Sequence, residues 1–434
     1  MALIGLCALA MLANGPRVLR ESSALGRPSR VSVAMKAEGT LRPAPAEGQK
    51  PPKPLAITAE SRLLAVEVPL SIGKAGSATR VARKVVQAAS AINGEIRPLA
   101  SELRPEVALV VAEIKEGGVV AYSPGGPLTR SELELVEGDG DPLLLPALLP
   151  SKGVEVGSKW IVEEVGSRSL SGYDVLATNR LEATVVSMDA DLARIALKGE
   201  IRGVARGGEG VMRLEGELTF DCKLNRVNRL SIGRSEVRKP GPVEAGLEFQ
   251  STLVVERADA EAPPELAEAA LAGLPVVPSP EMLLLEYTPP GGIYSIRHDR
   301  AWHLFHDDTR QAVLKRLDRG EVVAQCNLTM GPMAAKGQHL DPSAFREDLK
   351  KAIGTRLVAI DEEGELKGAA EDGFRYRIAV KGMEGETPIL WYYYLLASPE
   401  GRQLVATFTL GQAQAKSLGD NDLRLIGSLD WTAR

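Results

Sequence analysis

A chain of 434 residues with 44% apolar and 25% charged side chains has ordinary globular composition. That excludes a wholly disordered, collagen-like or polytopic membrane protein, and the length suggests two or three domains. With 52 Lys and Arg against 57 Asp and Glu, the net charge of -5 gives no overall basic field of the kind that nucleic-acid binding uses, and four His and three Cys leave little material for a metal or thiol enzyme.

Ala2 to Ala13 form an unbroken run of apolar or small residues. The run is shorter than the roughly 20 residues of a bilayer-spanning helix, but it has the length of a signal-peptide core, with a small residue at Ala13 for cleavage. Arg17, Arg20, Arg27 and Arg30 follow the run instead of preceding it, which opposes export by the positive-inside rule, so a leader that never meets a membrane is the competing reading. Leu6 precedes Cys7 where a lipoprotein signal needs a small residue, which argues against a lipid anchor. The expectation is an exported protein of the periplasm or cell envelope. From Asn14 to Pro54, 8 Lys and Arg oppose 3 Asp and Glu, and Pro43, Pro45, Pro51, Pro52 and Pro54 crowd the end. Residues 14–57 therefore read as a disordered basic tether, able to lie against an anionic membrane surface.

Of the 18 aromatic residues, 13 lie from Tyr287 onward, which marks two separate cores. Between them, residues 258–286 carry Pro263, Pro264, Pro275, Pro278 and Pro280 around a short helix at Glu265 to Ala272 and read as a semi-rigid linker. The first body, residues 58–257, opens with Leu64, Val66, Val68 and Leu70 on one parity. A helix is expected next, because Val81, Val85, Ala88 and Ile92 recur at helical spacing. Strands follow, with Ile195, Leu197 and Ile201, then Met212, Leu214, Leu218, Phe220, Cys222 and Leu224, then Leu247, Phe249, Leu253 and Val255 alternating with polar neighbours. One apolar and one wet face imply a curved antiparallel sheet around a single core. Gly203 to Gly210 reads as a turn between strands.

The second body, residues 287–434, reads strand, hairpin, helix, strands, helix. Ala312 to Leu317 and Val322 to Thr329 flank a turn at Asp318-Arg319-Gly320. Asp341-Pro342 is a helix start, with Phe345, Leu349 and Ile353 as the apolar stripe. Strands follow at Phe374 to Val380, Pro388 to Leu396 and Leu404 to Leu410, and a last helix holds Leu423, Ile426 and Leu429 before Trp431. The run Gly292-Ile293-Tyr294-Ser295-Ile296 leading to Trp302, the hairpin, the helix, the aromatic strand Trp391 to Tyr394, the Gly401 turn and the closing Ile426 to Trp431 resemble the PsbP-like α/β/α sandwich. That resemblance covers about the last third of the chain. It implies a non-catalytic module that docks on a larger partner, and it carries over no binding residue. The expected class is α+β: an N-terminal antiparallel curved β-sheet domain with a helix, and a C-terminal PsbP-like α/β/α sandwich with a central antiparallel sheet.

His298, His303 and His306 lie within nine residues, beside Asp299, Asp307 and Asp308, and could ligate a divalent ion if a turn brought them together. No HExxH, paired-Cys or GxSxG motif accompanies them. Cys222 and Cys326 sit on apolar strand parities as core thiols, in different bodies. Gly73 to Ser77 precedes the expected helix with Arg80, Arg83 and Lys84, an anion-holding arrangement that lacks the upstream glycine of a P-loop. In Trp391-Tyr392-Tyr393-Tyr394, alternation puts aromatic rings on both strand faces. A covered strand would use them as core, while an uncovered part would offer an amphipathic docking surface.

The composite expectation is a non-enzymatic extracytoplasmic binding or assembly protein, with a protein or envelope component as partner, no nucleic acid and no cofactor. Trp391, Tyr392, Tyr393 and Tyr394 are the candidate contacts. The alternative is a carrier or sensor of an apolar ligand held where Leu214, Leu218, Phe249 and Leu253 would line a void. A metal-dependent hydrolase built on the three histidines is the third.

Overall fold

Period-two alternation governs most of the chain, and the computed structural model, which describes residues 15–45, 50, 52–366 and 373–432, is dominated by strands. The leader at residues 1–13 lies outside the described residues. The first body is one antiparallel sheet of thirteen strands: β1 (Ser29–Arg42), β2 (Leu55–Ile72), β3 (Ala78–Gly94), β4 (Leu99–Glu102), β5 (Leu109–Lys115), β6 (Gly118–Tyr122), β7 (Lys159–Ile161), β8 (Val175–Asn179), β9 (Glu182–Met188), β10 (Leu192–Ala205), β11 (Gly208–Asp221), β12 (Arg226–Arg238) and β13 (Gly246–Asp259). Their order is β6-β5-β3-β2-β1-β13-β12-β11-β10-β9-β7, with β4 beside β3 and β8 beside β10. Arg206 and Gly207, both at positive φ, close the β10–β11 hairpin as a two-residue turn whose twist matches the strands.

Three expectations need correction here. The segment expected as a disordered tether contains β1, which sits mid-sheet between β2 and β13, and Leu19 and Glu21 ahead of it are buried. Val31, Val33 and Met35 alternate with Arg30, Ser32 and Ala34, so the strand signal is present beneath the basic and proline-rich composition. The expected helix at Val81 to Ile92 is β3. A bulge at Val86, between the pairs Leu64↔Gln87 and Ala65↔Val85, switches the side-chain parity, so Val81, Val85 and Ala88 all face the core at spacings that mimic a helix. Gly73 to Ser77 is accordingly the β2–β3 turn, with Gly73 N–H donating to the Ser77 carbonyl, and no helix follows to hold an anion.

The inner face of this sheet buries two clusters instead of one. Over β8 to β13, the cluster of Leu197, Leu214, Leu218, Phe220 and Leu253 is closed by Leu145, Leu148 and Leu170, the last from α2 (Glu164–Ser171), which follows α1 (Arg130–Val136). Over β1 to β6, Leu63, Val81, Val110 and Ala112 are closed by Leu133 and Val136 of α1. The linker does not hang free: Leu266, together with Leu271 of α3 (Glu268–Leu271) and Leu274, packs on Val68 and Ala82 of the outer face. Lys84 pairs with Glu265 at 3.0 Å beside this strap.

The second body holds a three-stranded sheet, β14 (Leu285–Tyr287), β15 (Tyr294–His298) and β23 (Asp430–Trp431), ordered β14-β15-β23. Its larger sheet comprises β16 (Trp302–Asp307), β17 (Gln311–Asp318), β18 (Glu321–Met330), β19 (Leu357–Glu365), β20 (Phe374–Glu384), β21 (Thr387–Ala397) and β22 (Gln403–Gly411), ordered β16-β17-β18-β22-β21-β20-β19. Here α4 (Pro342–Ile353) starts at Asp341, whose carboxylate accepts the Ser343 and Ala344 amides, and α5 (Ala415–Leu418) and α6 (Asn421–Gly427) are a turn or two each. Among the described residues no α-helix exceeds the 12 residues of α4. The chain is therefore mostly antiparallel β in three sheets, and the α+β class with an α/β/α sandwich is overturned: the helices are too short and few to make layers.

The segment from Glu134 to Asp141 ties these parts together. Asp141 takes both terminal nitrogens of Arg83 at 2.7 and 2.6 Å, while Arg83 Nε donates to Glu67 at 3.0 Å. Asp139 accepts from Arg234 of β12 at 2.6 Å, Glu137 from Arg300 of the second body at 2.9 Å, and Glu134 from Arg206 at 2.8 Å. Burial opposes the Arg83 charge, but Asp141 and Glu67 outweigh it and hold the guanidinium protonated. Because Arg83 is 0% exposed, Asp141→Asn should strand a buried charge and cost about 3–5 kcal/mol in urea denaturation. Replacing Arg83, Glu67 and Asp141 together with apolar residues of similar volume should restore most of that loss. A cost below about 1 kcal/mol for the single change would show that Glu67 alone suffices.

Candidate functional site

The aromatic strand expected as a docking surface is β21, and both of its faces are packed. Trp391 lies under α4 with Phe345 and Ile353, and Tyr393 joins that cluster. On the other face Tyr394 is wholly buried edge-on to Phe408; its hydroxyl donates to Asp422 at 2.6 Å and accepts from Arg377 Nε at 2.9 Å. Burial, followed by the Asp422 charge, raises the Tyr394 hydroxyl far above the usual phenol range. The Tyr392 ring sits 4.6 Å from the Arg377 guanidinium. Tyr392 and Tyr393 keep partial exposure, and Trp391 and Tyr394 are buried.

The three histidines do not gather at one point. His298 is buried on β15 with Nδ1 2.7 Å from the Asp299 carbonyl, His303 is half-buried on β16, and His306 is exposed, 3.5 Å from Asp308. A bulge at Phe305 separates His303 from His306 in the pairing with β17. Among the described residues no three His, Cys, Asp or Glu side chains gather as a metal site. Cys222 and Cys326 are free and buried, and burial pushes both thiols upward, Cys326 well beyond the usual value.

What no single stretch of sequence announces is a valley on the outer face of the thirteen-stranded sheet. Register aligns Glu60, Lys36, Thr252, Gly233, Glu215 and Lys198 in one row across six strands, and Thr58, Glu38, Gln250, Ser235, Arg213 and Glu200 in the next. These residues and Arg180 line an open depression of about 1030 Å³. Further along the same strands, Arg30, Ser32, Arg62, Thr219, Arg229 and Glu256 line a second depression of about 600 Å³. The row between them has Ala34, Val254 and Ser231 at its centre, side chains too short to interrupt the floor. From Arg30 to Glu38 the valley runs roughly 26 Å at the rise of an extended strand.

Its charges are only partly matched. Lys36 pairs with Glu60 at 3.2 Å, Lys198 with Glu215 at 3.0 Å, Arg213 with Glu200 at 3.3 Å, and Arg229 with Glu256. Arg30, Arg62, Arg180 and Glu38 have no ion pair among the described residues. On the opposite face, Leu214, Leu218 and Leu253 are 1–2% exposed within the packed core, and Phe249 is half-buried.

No protein-family model matches the chain, and no curated protein matches it. Among solved structures, cyanobacterial PsbP from Synechocystis is similar over 37% of this chain and 99% of its own, at 11% identity and a TM-score of 0.28. The Ran-binding protein Mog1p of Saccharomyces cerevisiae is similar over 34% of this chain and 95% of its own, at 11% identity and a TM-score of 0.27. Lipovitellin is similar over 55% of this chain, which spans only 26% of that protein, at 11% identity and a TM-score of 0.33. The PsbP-like resemblance read from the sequence thus has counterparts among solved structures, each weak and confined to part of the chain.

The two bodies meet at a cation-rich seam. Arg300 reaches Glu137 and the Ala121 carbonyl, Arg130 donates to the Arg300 and Trp302 carbonyls, and Lys315 donates to the Pro242 carbonyl at 2.9 Å. Burial, with Arg206 and Arg300 close by, pushes Arg130 down to about 10. His303 faces Arg130, Arg206 and His298, and burial together with these charges pushes it down to about 3. The folded protein therefore keeps His303 neutral, while the unfolded chain protonates it near the ordinary value of 6.5. The stability tied to neutral His303 is complete above that pH and is lost as pH falls toward about 3. A His303→Gln variant should lose less thermal stability than the wild type between pH 6.5 and about 5. Equal slopes in the two proteins would show that the folded chain accommodates the protonated ring.

Proposed function

We propose that the chain is a non-enzymatic binding or assembly protein of the periplasm or cell envelope, and that its partner lies along the valley of the thirteen-stranded sheet. The valley itself carries the reading: it is a long open surface with four internal ion pairs, and Arg30, Arg62, Arg180 and Glu38 remain there for a partner. Neither segment is lined by His or Cys, so imidazole and thiol chemistry have no side chain there. Fixed by Arg300, Arg130 and Lys315, the second body would serve as a rigid platform beside that surface.

Gly233 provides the test, because a Cβ built there meets only the Glu215 carbonyl, at an ordinary 3.6 Å. Gly233→Trp should fill the valley floor without disturbing the core. With a photo-crosslinking side chain at Thr252, the protein in its native envelope fraction should form a discrete adduct that the added Gly233→Trp change abolishes at unchanged melting temperature. Identical adducts with and without the tryptophan would end the valley reading.

The carrier reading has one observation in its favour. A cavity of about 330 Å³ lies between the inner face and the segment around Glu134 to Pro142, lined in part by Val33, Met35, Leu63 and Leu253. A small molecule released on denaturation of protein purified from its own cells, and seen by native mass spectrometry, would favour it over the first.

A further inference from the structure

We propose that the occupant of the valley is an extended anionic glycan, a polysaccharide bearing carboxylate groups. This rests on the binding reading above and names the ligand class for the same surface.

The floor strands β1, β13 and β12 are each paired on both sides, so their backbone groups are already engaged in the ladder. A peptide laid over them could not add as a strand, and its own N–H groups would lose water without gaining the sheet's carbonyls. Recognition must come from side chains, and the uncharged polar ones on the floor strands include hydroxyls and an amide: Ser32, Thr252, Ser235 and Gln250. Such groups both donate and accept, which matches the hydroxyl-rich edge of a sugar chain. No aromatic residue lines either segment, and Leu64, Leu192 and the largely covered Leu214 are the largest apolar side chains there, which disfavours an apolar ligand.

The charge balance sets the sign. On this face seven Arg and Lys and five Glu line the two segments, in a chain whose net charge is -5. After the four ion pairs, three guanidiniums face one carboxylate. Arg30 and Arg62 stand at one end and Arg180 toward the other, so an oligomer with repeated carboxylates can meet both ends while its hydroxyls meet the floor. Guanidinium suits this task because its fork matches a carboxylate with two parallel hydrogen bonds.

The test uses the full chain, polygalacturonate oligomers as probe, neutral dextran and polyglutamate as comparators, and calorimetric titration at two salt concentrations. Polygalacturonate should bind and weaken as salt rises, with dextran far weaker. Arg30→Ala with Arg62→Ala should weaken it about tenfold or more at unchanged melting temperature, since both side chains are exposed and outside the buried network. Dextran binding as tightly as polygalacturonate would overturn the anionic class, and tighter binding of polyglutamate would overturn the glycan class in favour of an acidic peptide. Absence of polygalacturonate binding would overturn the ligand class. The binding reading would then stand or fall separately on the Thr252 crosslink and its loss in Gly233→Trp.

Discussion

A guanidinium with no exposure to water, clamped between Asp141 and Glu67, is the constraint around which the first body is arranged. Arg83 lies on the inner face of β3 between Val81 and Val85 of the core that α1 closes, where an apolar side chain would ordinarily stand. Burying such a charge is costly unless geometry satisfies it fully, and the two-pronged contact with Asp141 does so. The neighbouring pair Arg257 and Glu21, at 2.7 Å, continues the polar seam, with Arg257 3.9 Å from Glu67. Burial raises the Glu21 carboxyl against the pull of Arg257, which places that pair at the margin of its own compensation. The short acidic segment that supplies Asp141 also reaches Arg234 and Arg300, so the same few residues set the position of α1, the far half of the sheet and the second body.

Much of the architecture is legible in sequence because alternation is a direct imprint of a half-buried strand. The strands β10, β11 and β13, the hairpin at Arg319-Gly320 and the start of α4 at Asp341 all follow local signals that tertiary packing does not override. The failures share a physical cause. In β3, one extra residue at Val86 shifts the parity, and a period of two interrupted once looks like a period of 3.6 over a dozen residues. In β1, composition masks pattern: basic side chains on the wet face of a strand count the same as basic side chains in a tether. The class departs from expectation for a related reason, since each short helical segment reads as a layer in sequence although each covers only a patch of a sheet face.

The candidate surface is the least legible part. Polar residues on the wet face of a strand carry no local mark that distinguishes solvent from partner, and only the register of six strands puts Arg30 and Arg62 along one floor with Thr252 and Gly233. The aromatic strand, by contrast, is conspicuous in sequence and occupied on both faces, with the Tyr394 hydroxyl consumed by Asp422 and Arg377. Conspicuous chemistry here serves packing, while the surface open to others is built from residues that look ordinary one at a time.

The seam between β1 and β13 also bears on how the molecule is made. Ser29 pairs with Asp259 and Arg42 with Gly246, so the first strand of the thirteen-stranded sheet must wait for the last of that sheet before its second edge is covered. Until then only the local hairpin with β2 is available to it, and closure over so long a chain carries a large entropic delay. During that interval β1 presents a bare edge fourteen residues long, rich in groups that pair readily with other chains. Its charged residues on the wet side, Arg30, Lys36 and Glu38 among them, then act as gatekeepers against premature association, a kinetic duty for the same side chains that later line the finished surface.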